Sequence, residues 1–247
     1  MKRKYLITLS LFTLVFLASF TNLIDKKQKP VVVLELFTSQ GCSSCPSADV
    51  LLEKVGKEFE NDQVFTLSYH VDYWNYIGWT DPFSQKEFTQ KQRSYARKFR
   101  DNQVYTPAVI VNGQEHFVGS NRSKMYAKIK EYKNKSSQFD ISFGAKEHTS
   151  KKIKFNYKID GNTSKAKARV ILAIKERTTN VKRGENAKRT LKNHNIVVNE
   201  SYVSNLTANG NYSIDIPKIV TEKDELSVFF ILENDQKDIV SAQRLDF

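Results

Sequence analysis

The sequence predicts an α/β domain followed by an all-β sandwich, and three observations lead to that expectation. Both cysteines of the chain, Cys42 and Cys45, lie two residues apart between a strand-like run and a helix-like stripe. Residues 31–133 alternate strand and helix periodicities. From residue 139 onward the chain carries only short period-two runs parted by polar turns. The expected organisation is a leader over 1–24, an α/β domain with a helical insertion over 30–134, and a β-sandwich over 139–247.

Met1-Lys2-Arg3-Lys4 and the apolar run from Tyr5 to Phe20 read as a signal peptide without a clean small-residue cleavage site. The globular part is therefore expected outside the cytoplasm, in a periplasm or cell envelope, either secreted or anchored through an uncleaved signal. The formal charge of +12 at pH 7 is dispersed along the chain. With no recognition motif beside it, nucleic acid is excluded as a partner, and a solvated lysine-rich exterior explains the charge.

Val31–Phe37 is nearly continuously apolar, as a parallel strand buried on both faces would be. A helix follows to about Phe59, with Pro46 in its first turn and Ala48, Leu52, Val55 and Phe59 on one stripe. Val64–Val71 reads as the second strand, and Asp72–Trp79 as an aromatic loop. Asp81-Pro82 is expected to start an inserted helix bearing Phe88, Gln92, Tyr95 and Phe99. Thr106-Pro107 introduces strand Ala108–Val111, and Asn112-Gly113 signals a hairpin returning through Gln114–Val118. A last helix starts at Ser120 or Asn121 and carries Met125, Ile129 and Tyr132. Beyond the polar linker Asn134–Gln138, six or seven strands are expected, with a long basic loop from Thr178 to Asn195.

The strand–turn–helix setting places Cys42 at or just before a helix N-terminus, where unpaired N–H groups and the macrodipole favour a thiolate. A thiolate there attacks disulfides. Two other readings stand beside it. A disulfide staple over two residues closes too short a loop to stabilise much. Half of a zinc site would need a second cysteine pair.

The segment 31–133 resembles the thioredoxin superfamily through Cys42-Ser43-Ser44-Cys45 and through Thr106-Pro107 before a hairpin. The resemblance implies Cys42 as the attacking and Cys45 as the resolving cysteine, with Pro107 a cis-proline facing the sulfurs and Thr106 presenting backbone to a substrate. Ser-Ser between the cysteines and Gly41 before them depart from the best-known oxidoreductases. Glu35–Pro46, His70-Val71-Asp72-Tyr73-Trp74 and Arg183-Gly184-Glu185-Asn186 look like an uncharacterised family of secreted thioredoxin-like proteins.

Glu35 is the most informative residue outside the turn. A carboxylate within a buried strand is costly unless neutral, paired or wet. By resemblance it is the acid beneath Cys45, titrating above a free glutamate, while a structural reading has it paired with a lysine or reaching solvent. His70 and Trp74 fall on the sheet edge where ligand sites of open α/β sheets collect. The expected catalytic set is Cys42, Cys45 and Glu35, and the substrate-binding set Thr106, Pro107, His70 and Trp74. No cofactor and no metal is expected. The leading function is an exported thiol–disulfide oxidoreductase acting on a protein or small molecule, served by a separate redox partner. A non-catalytic envelope binding protein and a copper-handling thiol protein are the alternatives.

Overall fold

The computed structural model describes residues 30–247, so the leader expected over 1–24 lies outside the described residues. Within them the chain builds eleven strands and three α-helices. The first part follows the periodicities closely. Strand β1 (Val32–Thr38) leads through the cysteine turn into α1 (Pro46–Glu58), and β2 (Val64–His70) pairs parallel with β1, Thr38 opposite His70. Helix α2 (Lys86–Phe99) is the insertion. Strands β3 (Ala108–Val111) and β4 (Glu115–Val118) form the hairpin, and β3 pairs antiparallel with β1. Asn112 and Gly113 both take positive φ at its turn, as a two-residue hairpin with right-handed strand twist requires. Helix α3 (Arg122–Tyr132) is capped by Asn121, whose side chain accepts from the Lys124 N–H.

Two local expectations shift. Asp81 does not cap the inserted helix; it turns inward, and α2 starts after Gln85. The long basic loop is mostly strand: β7 (Lys167–Asn180) and β8 (Thr190–Tyr202) pair antiparallel out to Asn180 and Thr190, leaving only 181–189 as the hairpin tip.

The larger correction concerns fold class. An α/β thioredoxin-like domain followed by a separate sandwich does not describe this molecule, which is mostly β. The sheet of the first part continues into the second, in the order β11-β10-β7-β8-β2-β1-β3-β4. Strands β10 (Leu226–Glu233) and β11 (Ile239–Asp246) complete it. The joint is between β2 and β8, where Ser68 lies opposite Ile196. Side chains reinforce it: Ser68 Oγ donates to the His194 carbonyl at 2.9 Å, and Asn195 Nδ2 donates to Thr66 Oγ1 at 3.0 Å. A separate three-stranded sheet, β5 (Asp140–His148), β6 (Lys152–Asp160) and β9 (Asn209–Asp215), covers part of the large one. Ile153, Phe155 and Tyr157 from it pack on Val170, Leu172, Val228 and Phe230.

Strand alternation divides the rest of the core. Val32, Leu34 and Leu36 face α1 and α3, meeting Leu52, Val55, Met125 and Ile129. Val33 and Phe37 face the other way, with α2 residues Phe88 and Tyr95 and with Ile171, Val197 and Phe229 of the second part. Helix α1, and the cysteines that lead into it, therefore lie across the sheet from α2.

Candidate functional site

Cys42 and Cys45 form a disulfide at the C-terminal end of β1. Cys45 is the N-cap of α1 and Pro46 its first helical residue, where the missing N–H costs no intrahelical bond. The turn closes through Cys42 N–H to the Ser39 carbonyl and Cys45 N–H to the Cys42 carbonyl, both at 3.2 Å. Both cysteines are buried, Cys42 with 1% and Cys45 with 0% of its surface exposed. Neither cysteine is accessible in this disulfide-bonded state.

The β7–β8 hairpin tip is bonded to the backbone of this turn. Asn186, itself fully buried, donates from Nδ2 to the carbonyls of Gln40 and Cys42, each at 2.9 Å. Glu185 accepts from the Ser43 N–H at 2.9 Å, and its hydrogen bonds to Ser43 hold its carboxyl below the usual range. Gly184 takes φ of +74° and fits against Ile77 and Trp79, a conformation that L side chains adopt only with strain. Arg189 fixes the Asn186 amide by donating from Nη1 to its Oδ1.

Behind the turn sits a buried polar cluster that the sequence reading had only in part. Asp49, one helical turn after Cys45, donates its backbone N–H to the Cys45 carbonyl and accepts from Thr38 Oγ1 at 3.1 Å through Oδ2. Its Oδ1 has no hydrogen-bond partner. Burial raises the Asp49 carboxyl to about 6 in spite of the opposing charge of His70 and the Thr38 hydroxyl. His70 Nδ1 lies 2.7 Å from Asp81 Oδ2, while its Nε2 is likewise unpartnered. Burial alone would lower the imidazole, but the Asp81 carboxylate, its hydrogen bond and then Asp49 raise it. Asp81 also accepts the Gln40 N–H at 2.8 Å, tying the cluster to the cysteine turn.

Glu35 belongs elsewhere. Its side chain lies on the α2 face of the sheet, accepts from Tyr95 at 2.5 Å and pairs with Arg169 of β7 at 2.8 Å. Lys91 stands 3.6 Å away. Burial pushes the Glu35 carboxyl up, yet Arg169, Lys91 and the Tyr95 hydroxyl outweigh it and hold the group below its ordinary value. This is the reverse of the raised value expected of a proton carrier for Cys45. The reason is parity: α1 packs on Leu34 and Leu36, and Glu35 points to the opposite side.

The other expected residues gather near the turn. Trp74 Nε1 donates to Thr106 Oγ1 at 2.7 Å, and a β-carbon on Gly41 would lie 3.2 Å from Trp74 Cβ. The Thr106–Pro107 peptide is cis. Pro107 and Ala48 of α1 both lie within contact of the space beside Gly119. Cys42, Cys45, Trp74, Thr106, Pro107 and His70 thus share one end of the sheet, and Glu35 does not join them.

A family model described as "Protein of unknown function (DUF1223)" matches residues 33–232. The chain belongs to the DUF1223 family. Its cysteine turn, His70, Asp81 and the covering Asn186 all fall within the matched stretch. A crystal structure of a protein from Agrobacterium tumefaciens is similar to this DUF1223 chain at 32% identity and a TM-score of 0.63, over 88% of this chain and 95% of that one. HBP35 of Porphyromonas gingivalis has a similar fold, with a TM-score of 0.57 at 12% identity over 89% of this chain and 76% of that one. No curated protein matches the DUF1223 chain.

Proposed function

We propose that this DUF1223 chain is an exported thiol–disulfide oxidoreductase whose working pair is Cys42 and Cys45. The observation that carries the reading is the disulfide closed at the N-terminus of α1 with an ionisable, buried Asp49 one turn behind it. The likeness of the Cys42–Cys45 turn to thioredoxin-like redox sites supports the same chemistry. In the reducing direction the Cys42 thiolate attacks a substrate disulfide and one substrate sulfur leaves. Cys45, after giving up its proton, attacks Cys42 Sγ and releases the second sulfur; the substrate gains two electrons and the chain ends as the disulfide. Asp49 replaces Glu35 as the proton acceptor for Cys45, since a group near 6 exchanges protons readily at neutral pH. Asp81 ties His70 to the cysteine turn through the Gln40 N–H, and the His70 charge lowers the Asp49 carboxyl against burial. Thr106, Pro107 and Trp74 are the residues that would border a bound substrate. The partners are a disulfide- or thiol-bearing molecule and a separate redox partner, met after export directed by the leader.

Reduction of a small-molecule disulfide, and separately of insulin disulfides, by the purified chain tests this, together with trapping of a mixed disulfide on Cys45→Ser. Turnover that disappears in Cys42→Ser is the expected result; absence of both turnover and any trapped adduct removes the reading. The burial of both sulfurs favours one second reading, a non-catalytic envelope protein with a structural disulfide. The same pair of assays separates the two.

A further inference from the structure

The hairpin tip bonded to the cysteine turn, both of whose cysteines are buried, arrives from more than 140 residues further along the chain. Asn186 bonds Cys42 across a separation of 144 residues, and Glu185 bonds Ser43 across 142. An exposed turn needs no such cover. Attack on a disulfide requires the incoming sulfur to approach in line with the S–S bond, so whatever sits above the sulfurs decides which thiols can react. The cover is held by polar contacts: two hydrogen bonds from Asn186, one to Glu185, and the Arg189 contact that fixes the amide. Apolar contact comes from Gly184 against Ile77 and Trp79 and from the buried Val181 where the tip leaves β7. A tip held this way opens more readily than a packed core element, because each hydrogen bond is remade with water.

Resting on the disulfide chemistry proposed above, we infer that Glu185 and Asn186 are specificity-determining residues that exclude thiols carried on folded proteins and admit small-molecule thiols and disulfides. A small dithiol needs only a slight displacement of the tip to bring one sulfur to Cys42 or Cys45. A folded protein carries its own surface with its cysteine, so Asn186, Glu185 and the segment behind them must all leave. The exchange itself balances in either case. One thiolate of the reductant attacks a protein sulfur and the Cys42–Cys45 bond breaks. The second reductant thiol then displaces the first bond, the reductant closes into its own disulfide, and its two protons end on Cys42 and Cys45.

The experiment uses the full oxidised chain with dithiothreitol and, separately, a reduced thioredoxin as the protein dithiol. Reduction is followed by quenching with a maleimide and weighing the product. Wild type should react readily with dithiothreitol and slowly with thioredoxin. Asn186→Ala should speed the thioredoxin reaction about tenfold or more, and Glu185→Gln about threefold, with dithiothreitol rates changed by less than about threefold. Glu185 is exposed, so its variant reports even if Asn186→Ala fails to fold. Equal acceleration of both reductants, or no acceleration with thioredoxin, overturns the inference. Loss of the function reading looks different: no form of the chain would then turn over insulin or a small disulfide, while the ratio of the two reduction rates would still report the seal.

Discussion

Two buried charged clusters lie on opposite sides of one sheet, and they are built on different principles. On the α2 face, Arg169 gathers Glu35 at 2.8 Å, Glu200 at 2.9 Å and Glu233 at 2.6 Å, with Lys91 beside Glu200. Nearly every polar atom there has a partner; only Arg169 Nη2 lacks one. These groups come from β1, β7, β8, β10 and α2, so the cluster fastens the first part of the chain to the second. Behind the cysteine turn, Asp49 and His70 each keep an unpartnered atom, and the Asp49 carboxyl rests near 6. Paired charges are locked in one protonation state. The incompletely paired ones remain free to exchange a proton near neutrality.

Removing the centre of the locked cluster should have the largest effect. Arg169→Met leaves Glu233 without its cation and Glu35 and Glu200 with Lys91 alone, at a cost of about 3–5 kcal/mol. Urea denaturation of the oxidised protein measures it. A loss below about 1 kcal/mol would mean that the cluster does not fasten the two parts.

Acid should act on the same cluster next. Folding takes the Glu200 carboxyl from 4.5 to about 2, because Lys91, Arg169 and the Tyr69 hydroxyl overcome the effect of burial. Its contribution is complete above pH 4.5 and is lost as pH falls through 2, roughly 3 kcal/mol in all. Glu200→Gln should flatten the acid limb of the stability curve over that window. An unchanged limb would move the acid sensitivity elsewhere.

The cluster behind the cysteines should show the opposite sign. Folding raises Asp49 from 3.8 to about 6, so its contribution is complete below pH 3.8 and is lost as pH rises through 6. Above that, the ionised buried group costs roughly 3 kcal/mol. Asp49→Asn should therefore gain on wild type between pH 4 and pH 7 while slowing resolution of a mixed disulfide about tenfold or more. Glu35→Gln should do the reverse, lowering stability and leaving the pH profile of exchange untouched. Matching effects of the two variants on exchange would erase the contrast between the clusters.

How far the sequence revealed this layout depends on the range of the interaction. The elements from β1 to α3 were legible because each is set by its own periodicity and capping, as with Asn121 and the Asn112-Gly113 turn. Strand β5 was not, since Ile141 is its only fully buried residue and Gly144, Lys146 and Glu147 interrupt the alternation. The single sheet could not be read either. Its joint rests on Ser68 opposite Ile196, a pairing of segments that carry no local mark of one another. Glu35 stood out as a charge in an apolar strand, but its partner Arg169 lies 134 residues away and its face was decided by parity. Asp49 was not singled out from the sequence. The one available signal was its position four residues after Cys45, on the stripe that turns inward.

The finest test of the contrast alters a single hydroxyl. Thr38 is fully buried at the end of β1, opposite His70 in the sheet, and its Oγ1 donates to Asp49 Oδ2 at 3.1 Å. That bond favours the ionised carboxylate and so holds the Asp49 value down against burial. Thr38→Val keeps the side-chain shape and the strand preference while removing the donor. The Asp49 carboxyl should then titrate above about 6. At pH 4.5, where the carboxyl is mostly neutral in both proteins, stability should differ little. At pH 8 the variant should be weaker by about 1 kcal/mol, the ordinary size of one lost hydrogen bond. The pH at which disulfide exchange reaches half its maximum should move upward with it. A uniform loss at both pH values, with no movement of the exchange profile, would make Thr38 a packing residue and would leave Asp49 unconnected to the cysteines.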